Sequence, residues 1–292
     1  MTEKPAITQA MINAYDEYTH LTLDRRGFMQ KLTGLAGSAA AAAAIAPMLA
    51  ASNAQAAIVP ETDASIEAVW TTYKVGETEM RGYLVRPAGA TSPLPAVVVI
   101  HENRGLNAHI QDVARRFAQA GFVALSPDFL SGVGGTPPDE DRARDLIGTL
   151  DPAVTVVLAS GSAGWLAKAE GVNGKVGAVG FCWGGGLVND LAVADPDRAA
   201  GVAYYGRQPK AEDVPKIKAA VMLHYGGLDE RINAGIPAYR AALEKAGVEH
   251  EIFVYDGVNH AFNNDTSAAR YDKAASDLAW ERTTAFLKAK LV

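Results

Sequence analysis

The sequence predicts an α/β chain with a mostly parallel sheet of about eight strands and helices on both faces. Three observations predict it. Short apolar runs recur without polar interruption, segments of helical periodicity separate them, and the two kinds alternate along most of the chain. Such runs suit strands buried on both sides, because a parallel sheet is covered by the helices of its own crossovers.

Taken in order, residues 66–74 and 78–86 are rich in β-branched and aromatic side chains and flank Val75-Gly76-Glu77, which predicts an antiparallel hairpin at one edge of the sheet. A break containing Pro, Ser and Gly follows at 87–95. Residues 96–100, 122–125, 175–180, 201–205, 220–225 and 251–255 are then the buried strands, each bounded by Gly, Pro or Asp. Helical periodicity marks 109–120, 139–150, 152–169, 184–194, 233–246 and 268–290. Residues 131–138, with three glycines and two prolines, read as a loop at the border of a site.

The 292 residues, 49% of them apolar, are enough for one large core, and residues 57–292 read as a single domain. A net charge of −6 provides no basic field for nucleic acid or for an anionic membrane surface. The single cysteine, Cys182, excludes an intramolecular disulfide, and no Cys/His spacing typical of a structural zinc site is present. Neither a metal nor any other cofactor is expected.

Residues 1–56 read as an address. Asp24-Arg25-Arg26-Gly27-Phe28-Met29-Gln30 precedes an Ala-rich apolar run at 32–50 and then Asn53-Ala54-Gln55-Ala56-Ala57. The pattern resembles a bacterial twin-arginine signal, which implies the twin-arginine export machinery as partner, cleavage after Ala56 and a periplasmic or secreted product. The rival is a membrane anchor. The many Ala and Gly residues and Pro47 make the run weakly hydrophobic, so no stable membrane association is expected.

The most informative stretch is residues 176–186, Val-Gly-Ala-Val-Gly-Phe-Cys-Trp-Gly-Gly-Gly, with G-x-C-x-G between a predicted strand and a predicted helix. Glycines there permit a sharp turn that lifts Cys182 above the carboxyl edge of the sheet. The helix that follows presents unpaired N–H groups, which favour a thiolate, and the Trp183 amide becomes an oxyanion donor. A nucleophile of this kind needs a base and a group that orients the base, and on this turn they follow in the order acid, histidine. Asp229 comes just after the 220–225 strand, with Glu230 as a neighbouring carboxylate, and His260 comes just after 251–255. His224 is the alternative base, and helix capping is the alternative task for Asp229.

With Gly180-Phe181-Cys182-Trp183-Gly184-Gly185, Asp229, His260 and the strand end His101-Glu102-Asn103-Arg104-Gly105-Leu106, the chain resembles the dienelactone hydrolase (carboxymethylenebutenolidase) family over about residues 66–290. The resemblance implies the α/β-hydrolase fold and cleavage of a small ester or lactone through an acyl-thioester. It also implies that Glu102 interacts with the Cys182 thiol and that the Asn103 amide is the second oxyanion donor. Substrate contacts are expected from Arg104, with Arg142, Arg144 and Arg207 as alternatives, and from Tyr204. The arginine that the family places shortly after its histidine is replaced here by Asn263-Asn264-Asp265. The competing reading is a non-catalytic binding or thiol redox-sensing protein on the same fold. A serine-type peptidase or lipase is disfavoured by the cysteine at the turn.

Overall fold

The structure, a computed structural model, describes residues 6–20, 22–50 and 57–292. Three helices come first, α1 (Gln9–Thr19), α2 (Arg25–Ala36) and α3 (Ala39–Leu49). The body follows as β1 (Ile66–Val75), β2 (Thr78–Pro87), β3 (Leu94–Ile100), α4 (Ala108–Gln119), β4 (Val123–Asp128), α5 (Glu140–Ile147), α6 (Pro152–Leu166) and β5 (Val172–Phe181). It continues with α7 (Trp183–Ala194), β6 (Ala200–Tyr204), β7 (Ala220–Gly226), α8 (Glu230–Asn233), α9 (Ile236–Ala246), β8 (His250–Tyr255) and α10 (Lys273–Leu291).

The eight strands form one sheet in the order β1-β2-β4-β3-β5-β6-β7-β8. The β1–β2 and β2–β4 pairs are antiparallel and every other pair is parallel. This is the predicted sheet, hairpin edge included. Alternation along β3 shows how the two faces are buried: Val97 and Val99 join one core with Ile110 and Phe117 of α4 and Phe286 of α10. Ala96, Val98 and Ile100 join the other, with Ala159 of α6, Leu187 of α7 and Leu243 of α9. Both faces are therefore closed to water, which is why the strands carry unbroken apolar runs.

The helix predicted over 233–246 starts three residues later, at Ile236. Pro237 lies in the first turn of α9, where its missing N–H costs nothing, and Gly235 precedes it as the cap. The long C-terminal helix starts at Lys273, later than its periodicity suggests, because the Asp272 carboxylate accepts the Ala275 N–H and caps it there.

The three N-terminal helices bury a small core of their own, with Met11, Tyr15, Tyr18, Phe28, Leu32 and Leu49. Tyr18 stacks on Phe28 with ring centroids 4.9 Å apart. Among the described residues no single helix is long and apolar enough to cross a membrane, and α2 and α3 meet at 112°. The expected cleavage point after Ala56 lies outside the described residues.

Candidate active site

The parallel strands all end on one side, and the order changes direction at β3, whose neighbours are β4 and β5. Loops leaving such a switch point diverge and leave a crevice. Into it project Glu102, Asn103 and Arg104 after β3, Cys182 after β5, Tyr205 after β6, Asp229 after β7 and His260 after β8.

Cys182 sits at the turn between β5 and α7 with φ 54° and ψ −112°, a conformation that L residues rarely adopt. Two glycines make the turn possible. A Cβ on Gly180 would lie 2.1 Å from the Gly184 carbonyl oxygen, and one on Gly184 would lie 2.5 Å from the carbonyl oxygens of Ile100 and His101. The Cys182 N–H donates to the Tyr204 carbonyl at 3.0 Å, which ties the turn to the next strand. Trp183 is the first residue of α7, so its N–H has no acceptor within the helix.

Asp229 and His260 meet as the sequence order predicts. Nδ1 of His260 donates to Asp229 Oδ2 at 2.5 Å, while Asp229 Oδ1 accepts the Ile232 N–H at 3.2 Å. The capping and orienting tasks are thus both performed by one carboxylate. The two loops are locked together by the Leu228 N–H donating to the Val258 carbonyl at 2.9 Å and that of Gly227 to Tyr255 at 2.8 Å. With Nδ1 engaged, Nε2 of His260 is buried with no hydrogen-bond partner among the described residues. The alternative base, His224, is sealed in the core between Tyr255 Oη and Thr283 Oγ1, and burial depresses its pKa to about 3.

A second imidazole reaches the sulfur from the segment read as an address. Nε2 of His20, in the turn after α1, lies 3.3 Å from Cys182 Sγ, and the His20 and His260 rings meet edge to face at 4.8 Å. Nδ1 of His20 donates to the Asp16 carbonyl at 2.7 Å, which leaves Nε2 to face the sulfur. One ligating atom each from His20, Cys182 and His260 fall within 4.8 Å of one another. Their separation in sequence hides this cluster from any search for metal-ligand spacing.

The electrostatics follow from these neighbours. Burial opposes ionisation of Cys182, but the imidazoles of His20 and His260 outweigh it and hold the thiol at about 6. Burial likewise opposes an imidazolium at His260, yet Asp229 and the Cys182 thiolate together raise it to about 10. Asp229, although buried, is held below the usual carboxylate range by His260 and Arg231. The site thus favours a thiolate-imidazolium pair.

Other predicted residues fall differently. Among the described residues the Glu102 carboxylate accepts from Asn264 Nδ2 at 2.8 Å and from Tyr205 Oη at 3.5 Å, and the sulfur's hydrogen-bond partner is His20. Glu102 and Cys182 do line one recess of about 20 Å³. The Asn103 side chain donates to the Thr19 carbonyl at 2.5 Å. Arg104 is buried, with its guanidinium 2.8 Å from Asp141 and 3.4 Å from the Tyr15 hydroxyl.

The expectation that Tyr204 contacts substrate is corrected. As the last residue of β6 it points into the core, fully buried, with its hydroxyl 2.7 Å from Thr283 Oγ1. The next residue, Tyr205, has φ 40° and lines the site cavity.

A cavity of about 340 Å³ opens beside Cys182 and His260. Trp183, Leu187, Ile147 and Ile232 form apolar walls, Arg144, Arg207 and Arg231 supply positive charge, and Thr19 and His20 close one side. Sequence reasoning named Arg144 and Arg207 as alternatives but missed His20, Tyr205 and Arg231. For Arg231 a signal existed, since it lies two residues after Asp229. Nothing in the local pattern around His20 marks it.

The Dienelactone hydrolase family profile matches residues 80–291. A Yersinia pestis protein provisionally named carboxymethylenebutenolidase is 33% identical over 228 residues, which are 73% of this chain and 84% of that protein. A Klebsiella pneumoniae structure, provisionally a dienelactone hydrolase, is 30% identical and superposes with a TM-score of 0.68 over 76% of this chain and 98% of its own. The Anabaena variabilis dienelactone hydrolase, at 22% identity and a TM-score of 0.61 over 78% of this chain and all of its own, shares the fold.

Proposed function

Since the chain belongs to the dienelactone hydrolase family and is a hydrolase of the α/β fold, we propose that it cleaves small carboxylic esters or lactones through a Cys182-His260-Asp229 triad and an acyl-thioester. The observation that carries this reading is the strained turn that presents Cys182 to the cavity beside a histidine already oriented by Asp229. A position with φ 54° is held at a cost, and such costs concentrate where a side chain must be aimed.

In the proposed cycle the thiolate attacks the carbonyl carbon, and the amides of Trp183 and Asn103 receive the developing oxyanion. The C–O bond breaks as His260 gives its proton to the departing alkoxide or enolate. Neutral imidazole then takes a proton from water, the hydroxide cleaves the thioester, and the carboxylic product leaves with the thiolate restored. Below about pH 6, where the thiol form prevails, Glu102 in the shared recess takes the thiol proton when substrate enters. Arg231 and the half-exposed Arg207, which also pairs with Asp190, attract a substrate that carries a further carboxylate, whereas the buried Arg104 does not line this cavity. Residues 1–56 direct export of the folded chain by the twin-arginine route and are removed outside the cytoplasm.

A panel of p-nitrophenyl esters and small lactones tests the reading, with Cys182→Ala beside wild type. Wild type is expected to turn over at least one of them and to show an added acyl mass on Cys182 at short times, and the variant to lose both. Hydrolysis that survives in the variant removes the mechanism. A wild type inert to every acyl substrate favours the thiol-sensing alternative.

A further inference from the structure

We propose that, in the chain that still carries residues 1–56, His20, Cys182 and His260 form a binding site for a soft divalent cation of the zinc type, which clamps the N-terminal helices over the nucleophile. It shares two residues with the proposed hydrolytic site, but its chemistry is independent of ester cleavage.

The donor set is one thiolate and two imidazoles, the combination that favours zinc over magnesium or calcium. Zinc bonds of about 2.0–2.1 Å to nitrogen and about 2.3 Å to sulfur, at tetrahedral angles, place the ligand atoms about 3.3–3.6 Å apart. His20 Nε2 and Cys182 Sγ are already 3.3 Å apart, and all three atoms lie within 4.8 Å. Small side-chain adjustments therefore complete the triangle.

What separates this cluster from a chance meeting of side chains is how the histidines are held. A metal-bound imidazole donates its other N–H to a carboxylate or a carbonyl, which fixes both tautomer and ring direction. Both rings do so here, His260 to Asp229 Oδ2 at 2.5 Å and His20 to the Asp16 carbonyl at 2.7 Å. Nε2 of His260, in a residue 2% exposed, has no hydrogen-bond partner among the described residues. All three residues line the 340 Å³ cavity, so a fourth position faces open space where a water ligand fits.

The backbone that carries His20 is anchored independently of any ion. Arg270 Nη1 is 3.0 Å from Asp16 Oδ1, Arg144 Nη1 donates to the Tyr18 carbonyl at 3.3 Å, and Asn103 Nδ2 donates to that of Thr19. Binding requires a thiolate and two neutral imidazoles, so the Nε2 proton of a His260 imidazolium, and any thiol proton, are released to solvent as the metal–ligand bonds form. The sulfur lone pair is then committed to the metal, and the loaded enzyme is silent toward esters.

The test uses the full chain, freed of metal by a chelator, titrated with Zn2+ against a chromophoric competitor and separately with Co2+. One ion per chain is expected, with a thiolate-to-cobalt charge-transfer band that disappears in Cys182→Ala. His20→Ala, and His20→Gln as the variant closer in volume, are expected to bind at least about tenfold more weakly, since a lost ligand costs no less than a lost outer partner. Ester hydrolysis falls on addition of one equivalent of Zn2+ and returns with EDTA. Zinc bound no more tightly by wild type than by Cys182→Ala overturns the site, as does equal affinity in wild type and in folded His20 variants. If no ester is cleaved at all, the hydrolytic reading fails while the cobalt spectrum still reports on the metal site.

Discussion

Cys182 is approached from two sides by imidazoles with different origins. His260 arrives on a loop fixed by the sheet, since β7 and β8 are paired along their length and their ends are cross-linked by backbone hydrogen bonds. His20 arrives on a helix that belongs to no sheet and is held by side chains, Arg144, Arg270 and Asn103, reaching out from the body. The first arm is part of the fold, and the second is docked on it. A sheet-borne group is positioned whenever the chain is folded, whereas a docked group can be withdrawn without unfolding anything.

The largest expected effect tests the fixed arm. Asp229→Asn leaves the Ile232 cap an acceptor but turns His260 to the wrong tautomer, and kcat should fall by about 10³–10⁴-fold with little change in thermal stability. Steady-state kinetics on whichever ester proves the best substrate, alongside a thermal melt, make the comparison. A loss as large in His20→Gln measured with chelator present would erase the distinction between the two arms.

This division also decided what could be read from sequence. All eight strands were legible because burial on both faces leaves unbroken apolar runs, and Cys182, Asp229 and His260 were legible because strand ends in a parallel sheet share one edge. Tyr204 and Tyr205 could not be told apart, since the choice between core and cavity depends on where β6 ends and a left-handed residue begins. Arg104 looked available because its partners, Tyr15 and Asp141, come from distant segments. His20 was invisible for the same reason: the residues flanking it read as an export signal, and only the docked conformation reveals what the turn after α1 carries.

The pH dependence of thiol reactivity gives a finer contrast. In the metal-free enzyme, alkylation of Cys182 by iodoacetamide should stay level down to about pH 6 and then fall about tenfold per unit, because the thiolate is held at about 6. His20→Gln removes one of the two imidazoles and should move that midpoint upward, though not to the ordinary thiol value, since His260 remains. Stability follows with opposite signs. The thiolate's contribution is present at alkaline pH and lost as pH falls through about 6, whereas that of His260 is present at acid pH and lost as pH rises through about 10. A wild-type midpoint near 8.5 would mean that neither imidazole acts on the sulfur.

The smallest effect concerns the paired arginines. Arg25 reaches Asp141 at 3.2 Å, but its side chain is 80% exposed, and the same carboxylate is already engaged by the buried Arg104 at 2.8 Å. Screened by water and sharing its partner, the ion pair is worth less than about 0.5 kcal/mol, so Arg25→Ala should leave the melting temperature within about 2 °C of wild type. Tyr18 differs in kind: it stacks on Phe28, and the Arg144 guanidinium lies 4.3 Å from its ring centroid. If Arg25→Ala instead loosens the N-terminal helices, as read by limited proteolysis, the docking would depend on the charges of the arginine pair. An unchanged protease pattern would leave Arg25 and the exposed Arg26 with no structural task, and a pair of surface cations on a docked helix is available to a receptor without the helix leaving the site.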